Sequence, residues 1–179
     1  MSNYIHNSAI VYPDVKLGQN IEIMENCVIG SQPFMIRRYN RVKPKFGIRI
    51  GDNVFINTGS QVVYGTERDT LICNKVTIAQ KCIIGHDSII GEKTEVNNSV
   101  SINGFVEIGR MCSIGTGATI NERIRIGDNV IIGANSTITK DIPSNMYAWN
   151  RPNSKGDIYC MPTRPNPFSI KRLVKDKIL

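Results

Sequence analysis

Residues 72–138 read ICNKVTIAQKCIIGHDSIIGEKTEVNNSVSINGFVEIGRMCSIGTGATINERIRIGDNVIIGANSTI. Ile or Val occupies every sixth position from Ile72 to Ile138 without a miss, twelve in register. An amphipathic helix needs apolar residues at three- and four-residue steps, and a plain antiparallel strand alternates every second residue; sustained sixes fit neither. Glycine often follows the aliphatic residue, as in Ile84-Gly85, Ile90-Gly91, Ile108-Gly109 and Ile132-Gly133. A small or β-branched residue often stands four places after it, as at Cys82, Ser88, Thr94, Val100, Cys112, Ala118 and Ser136. One large and one small inward position per six residues suit a short strand followed by a sharp corner, where a residue lacking Cβ relieves steric cost. Three such units close a triangular coil of eighteen residues, so the fold expected is an all-β parallel β-helix.

The sixes extend backwards through Ile5, Val11, Leu17, Ile23 and Ile29, and again through Ile50, Ile56 and Val62. Two insertions separate these blocks, at 31–47 and 64–71, and a β-helix domain is expected over residues 1–145. The first insertion places Arg37, Arg38, Arg41, Lys43 and Lys45 among Phe34, Tyr39 and Phe46. Such a loop suits a nucleotide's phosphates and base, or equally a solvated cover on a neighbouring subunit's edge. The second insertion, which starts at Tyr64, is expected to be a pocket wall or a polar turn. Beyond Ile138 the sixes break at Thr139-Lys140-Asp141-Ile142-Pro143, and residues 146–179 form a C-terminal extension. Its apolar positions 170, 173, 174 and 178 suit one short amphipathic helix.

The chain has 179 residues, 41% hydrophobic and 21% charged, which is globular composition for one ordinary domain. No apolar run is long enough to span a bilayer, and the first residues carry neither a basic nor an apolar leader, so the expected location is the cytoplasm. Five cysteines without a close CxxC pair fit neither a zinc ribbon nor a disulfide framework. Cys27, Cys82 and Cys112 fall at the small inward position and read as core. A net charge of +7 favours anionic partners such as CoA, nucleotide sugars or nucleic acid without choosing among them.

Only two histidines are present, His6 and His86, and general-base work near neutral pH most often uses histidine. His6 falls in the first coil, which caps the prism. His86 falls in Ile84-Gly85-His86-Asp87-Ser88, at a corner where its side chain is free to point outward. Eighteen residues on, one coil later, stands Gly104 in Ile102-Asn103-Gly104-Phe105. A glycine corner admits close approach, so its amide suits an oxyanion, although an ordinary turn glycine reads the same way.

This pattern resembles the hexapeptide-repeat acyltransferase superfamily over roughly residues 5–152. The segment Ala79–Gly91 is similar to the catalytic stretch of the lipid A O- and N-acyltransferases and of the nucleotide-aminosugar N-acetyltransferases. The resemblance implies a left-handed β-helix, a homotrimer with sites between subunits, and acyl-CoA, most simply acetyl-CoA, as co-substrate with no permanently bound cofactor. It implies His86 as base, Asp87 orienting its ring, and the Gly104 amide as oxyanion donor. Arg37 and Arg38 in the first insertion, Tyr64 at the start of the second and Asn103 beside Gly104 are this chain's own candidates for binding substrate or cofactor. Where many members carry a Gly-Asn-Pro-Ala turn that contacts CoA, this chain has Ala148-Trp149-Asn150-Arg151-Pro152. Trp149, Asn150 and Arg151 are the corresponding candidates. Where the lipid A O-acyltransferase has further histidines, this chain has Val63, Ile83 and Phe105, so its sugar contacts are its own. The activity expected is N-acylation of a nucleotide-linked amino sugar in surface polysaccharide synthesis. Sugar O-acetylation, an acyl carrier protein donor and a silent scaffold are the alternatives. A γ-carbonic anhydrase needs three zinc-binding histidines, which this chain cannot supply, so no metal is expected. Aromatic residues interleave with basic ones in one loop alone, so no nucleic-acid partner is expected.

Overall fold

A computed structural model describes residues 2–35, 40–41, 46–150 and 157–163. Its short strands stack into three parallel sheets, the faces of a triangular prism. The first face runs from Tyr4–Ile5 through Glu22–Ile23, Phe55–Ile56, Thr77–Ile78, Glu95–Val96 and Ser113–Ile114 to Ile131–Ile132. The second includes Gln61–Val63, Ile83–Ile84, Ser101–Ile102 and Thr119–Ile120, and the third Thr70–Ile72, Ile89–Ile90, Glu107–Ile108 and Arg125–Ile126. Among the described residues there is no helix, and none long and apolar enough to cross a membrane.

The register is that of a closed coil. Ile84 pairs with Ile102, Ile102 with Ile120 and Ile120 with Ile138, each eighteen residues on. Amides of one coil donate to carbonyls of the next, as Ile83 N–H does to Val100 O at 2.9 Å and Gly85 N–H to Ile102 O at 2.7 Å. From Ile23 onward the repeating aliphatic residue is buried at each step, and Ile72, Ile78, Ile84, Ile90, Ile102, Ile114 and Ile120 are fully so. Each contributes roughly 2 kcal/mol of apolar burial, and together they form one continuous column.

The register also measures the insertions. Across the first, Val28 pairs with Gln61, 33 residues on; across the second, Gln61 pairs with Ile83, 22 residues on. The first therefore adds fifteen residues to a coil and the second four. The backbone of the first forms an antiparallel pair, Phe34–Met35 with Asn40–Arg41. The strand Met146–Asn150, expected in the C-terminal extension, joins the first face beside Ile131–Ile132, and Ile158–Pro162 returns antiparallel to it. The expected C-terminal helix lies outside the described residues.

Two details refine the reading of the corners. The left-handed backbone conformation falls two residues after the corner position that glycine often fills, at Lys81, Asp87, Lys93, Phe105, Arg123, Asn129 and their non-glycine equivalents, with φ of 54–63°. The glycine serves close stacking instead: a Cβ on Gly85 would sit 2.6 Å from the Asn103 carbonyl carbon of the next coil. The small inward position also bonds as well as packs. Ser88 Oγ donates to Asn103 O at 3.0 Å, Thr94 Oγ1 to Gly109 O at 2.8 Å, Cys82 Sγ to Asn97 O at 3.0 Å and Cys112 Sγ to Gly127 O at 3.1 Å. These donors satisfy corner carbonyls that accept no backbone amide among the described residues.

Candidate active site

His86 and Asp87 occupy the corner between the second and third faces, where the chain leaves Ile83–Ile84 and turns into Ile89–Ile90. The two side chains diverge. The His86 side chain is 32% exposed, and that of Asp87 is wholly buried. His86 Nδ1 lies 2.7 Å from Asp87 Oδ2.

The Asp87 carboxylate has a second set of partners in the inserted segment 64–71. It accepts hydrogen bonds from the Thr66 amide at 2.9 Å, the Thr66 hydroxyl at 2.6 Å, and the Glu67 and Arg68 amides, each at 2.7 Å. The Asp87 amide in turn donates to Thr70 Oγ1 at 2.9 Å. Burial pushes the carboxyl upward, but the Thr66 hydroxyl, the Arg68 and Glu67 amides and His86 outweigh it and hold the pKa down at about 2. Asp87 is therefore ionised at neutral pH and can only accept. A neutral His86 must then carry its proton on Nδ1, which leaves the Nε2 lone pair free as a base.

Gly104 lies one coil below. A Cβ on it would stand 2.5 Å from His86 Cε1 and 2.6 Å from Nε2, so only glycine lets the imidazole lie there. At several corners the amide at the second position donates to a side chain of the adjacent coil, as Asp52 N–H does to Asn74 Oδ1 and Arg110 N–H to Asp128 Oδ1. The Gly104 amide has no acceptor among the described residues. Asn103 is exposed beside it, and its carbonyl accepts the Ser88 hydroxyl. Phe105 stands edge-on to His86, ring centroids 5.1 Å apart, and the Arg123 guanidinium lies 4.3 Å above the Phe105 ring. A shallow cavity of about 310 Å³ opens here, lined by Glu67, Arg68, Phe105, Glu107, Arg123 and Arg125.

Other expected residues fall elsewhere. Tyr64 does not face a pocket; it is 4% exposed, its ring packs on Gly30, and Tyr12 meets it edge-on at 6.3 Å. Trp149 stacks between Tyr147 and Tyr159 on the first face, opposite the His86 corner. Asn150 ties the terminal hairpin, accepting from the Thr137 amide and donating to Asp157 O. One chain thus does not bring Trp149 or Asn150 to His86. Arg37, Arg38 and Arg151 lie outside the described residues. His6 sits in the first coil, its Nδ1 2.9 Å from Ser8 Oγ. Sequence reasoning missed Thr66, Arg68 and Arg123. The 22-residue register places Thr66 and its neighbours against Asp87, and an eighteen-residue count from Phe105 reaches Arg123.

Residues 105–140 match the family model "Bacterial transferase hexapeptide (six repeats)". That stretch carries the hexapeptide repeat. The fold of the chain is also that of UDP-N-acetylglucosamine O-acyltransferase (LpxA) from Moraxella catarrhalis, at 23% identity and TM-score 0.70, covering 96% of this chain and 74% of that one. The UDP-N-acetylglucosamine acyltransferase of Francisella novicida aligns at 23% identity and TM-score 0.71, covering 94% and 73%. At such identities the likeness is one of fold, and it agrees with the β-helix of sixes. PerB from Caulobacter crescentus, in complex with CoA and GDP-perosamine, aligns at 23% identity over 90% of this chain and 57% of that one, with a TM-score of 0.47, too loose to build on. No curated protein sequence matches the chain significantly.

Proposed function

We propose that the hexapeptide-repeat chain is an acyltransferase that moves an acyl group from CoA to the amino group of a nucleotide-linked amino sugar. The observation that carries this reading is the His86–Asp87 pair, with a buried, ionised carboxylate on Nδ1 and Nε2 facing outward over Gly104. The acceptor nitrogen attacks the thioester carbonyl carbon while Nε2 takes its proton. The carbonyl oxygen becomes an oxyanion that accepts the Gly104 N–H. Collapse breaks the carbon–sulfur bond, and the imidazolium returns its proton to the departing thiolate.

The working unit is a homotrimer in the cytoplasm, with each site completed by a neighbouring prism. Ile83, on the coil of His86, supports this: it is 47% exposed on the second face and offers an apolar contact beside the site. The acetyl group is the simplest donor cargo, and Trp149 and Asn150 of a neighbouring prism are candidates to line the donor path.

Thiol release tests the reading, measured with acetyl-CoA and longer acyl-CoAs against a panel of nucleotide amino sugars, on wild type and His86→Ala. The expected result is turnover that falls by ~10²-fold or more in the variant. Equal turnover in both would remove His86 as the base. Turnover with sugars offering hydroxyls alone would move the reading to O-acylation.

A further inference from the structure

Arg123 is the guanidinium at this corner that, among the described residues, makes no ion pair. Arg68 is bound to Glu107 Oε1 at 2.6 Å and to the Asp87 carbonyl at 2.7 Å, and Arg125 approaches the other oxygen of Glu107 at 3.4 Å. Among the described residues the Arg123 side chain has no carboxylate partner and lies over the face of Phe105, while its backbone amide donates to Gly104 O at 3.0 Å. Stacking fixes the plane of a guanidinium while leaving its N–H edges free, the geometry that suits a bidentate oxyanion. Glu107 is already neutralised from two sides, and Glu67, exposed at the rim, is the remaining negative charge of the cavity.

We infer that Arg123, held on Phe105, binds the diphosphate of the acceptor substrate and so makes a nucleotide-linked sugar, not a free sugar, the preferred acceptor. This rests on the acyl-transfer reading for what the anion is attached to. Both co-substrates of that reading carry a diphosphate, in the nucleotide sugar and in CoA, and the position separates them. The His86 imidazole and the Arg123 guanidinium both lie against the Phe105 ring, 5.1 Å between ring centroids for His86 and 4.3 Å from Cζ to the centroid for Arg123. A hexose ring with its anomeric diphosphate matches a separation of that order, with the reacting amine at Nε2 and the phosphates at Arg123. In CoA the whole pantetheine arm lies between thioester and diphosphate, far more than the width of a ring. Arg123 therefore meets the acceptor's diphosphate and not the donor's.

The test is equilibrium binding, which needs no turnover. UDP, GDP, inorganic pyrophosphate, the nucleosides uridine and guanosine, and CoA are titrated calorimetrically into wild type, Arg123→Gln and Arg123→Lys. Arg123 is exposed, so both variants are expected to melt with wild type. The expected result is that at least one nucleoside diphosphate binds wild type and binds Arg123→Gln at least ~10-fold more weakly, with Arg123→Lys intermediate. CoA is expected to bind all three alike, and the nucleosides are expected to bind weakly. Equal binding of the diphosphates by wild type and Arg123→Gln, or no binding of any diphosphate, would overturn the inference even if His86-dependent acyl transfer were found. Loss of diphosphate binding in Arg123→Gln without acyl transfer under any condition would uphold the anion site and remove the reaction proposed beside it. A loss confined to CoA would assign Arg123 to the donor and overturn the inference.

Discussion

The oxygen of Asp87 that lies 2.7 Å from His86 Nδ1 also accepts the Thr66 hydroxyl at 2.6 Å. One buried carboxylate thus holds both the candidate base and the four-residue insertion that walls its site. The two tasks need the same chemical state, because only an ionised carboxylate accepts from every surrounding donor at once. Ring orientation and loop position are coupled through this group, and a single substitution disturbs both.

Asp87→Asn is expected to lower stability by about 2 kcal/mol or more, since a carboxamide presents an N–H₂ group to donors that need an acceptor. The pH dependence has a defined sign. The folded pKa is about 2, below the ~3.9 of an unfolded aspartate, so the contribution is present above the unfolded value and is lost as pH falls through the folded one. Urea denaturation of wild type and Asp87→Asn should give a difference that is constant from about pH 5 to 7 and shrinks by about 2 kcal/mol between about pH 4 and 2. A difference independent of pH across that window would show that Asp87 is not held ionised by these contacts.

Gly104→Ala is expected to displace the imidazole, because the new methyl would fall 2.5 Å from His86 Cε1. The cost should appear in chemistry more than in folding, since the ring is part-exposed and can swing away. A fall in kcat of ~10²-fold, with a melting temperature within a few degrees of wild type, is the expected pair of measurements. Unchanged kcat would mean that neither the glycine nor the ring position matters to turnover.

Thr66→Val removes the hydroxyl bonded to Asp87 but keeps the three loop amides, separating the loop clamp from the charge itself. Loss of one hydrogen bond to a charged acceptor should cost about 1.5–3 kcal/mol. The His86 tautomer should survive, so kcat is expected to fall less than ~10-fold, far less than in Asp87→Asn. Equal kinetic damage in the two variants would place the loop, and not the ring, in control of activity.

The prism was legible because its cause is local and repeated: each coil needs the same inward aliphatic residue, so Ile84, Ile102 and Ile120 announce one another eighteen residues apart. The His86–Gly104 stacking follows from the same count. Tyr64 is buried because its ring lies on Gly30 and against Tyr12 of earlier coils, long-range contacts that the repeat does not announce. The Asp87 clamp was hidden for a different reason. It depends on the net four residues added between Gln61 and Ile83, a quantity that register reveals and that a broken repeat leaves open. Arg123 gave no motif, since its role comes from the aromatic ring stacked above it.

The buried cysteines offer a test of the inward donor position. Burial pushes the Cys112 thiol up to about 11, and it raises those of Cys27 and Cys82 as well, so none supplies the thiolate that reacts with disulfide or alkylating reagents. Cys160 is exposed. Native protein treated with a chromogenic disulfide near neutral pH should form a mixed disulfide at Cys160 promptly, expelling the reagent's coloured thiolate; the half-buried Cys73, its thiol also raised by burial, should react more slowly, and Cys27, Cys82 and Cys112 only on unfolding. Since Ser88 and Thr94 make the same corner bond through a hydroxyl, Cys112→Ser should retain it and cost less stability than Cys112→Ala, which leaves the Gly127 carbonyl without its donor. The two variants are expected to differ by about 1 kcal/mol in denaturation free energy. If Cys112→Ala were the more stable, the thiol would be filling space and the hydrogen bond would contribute nothing.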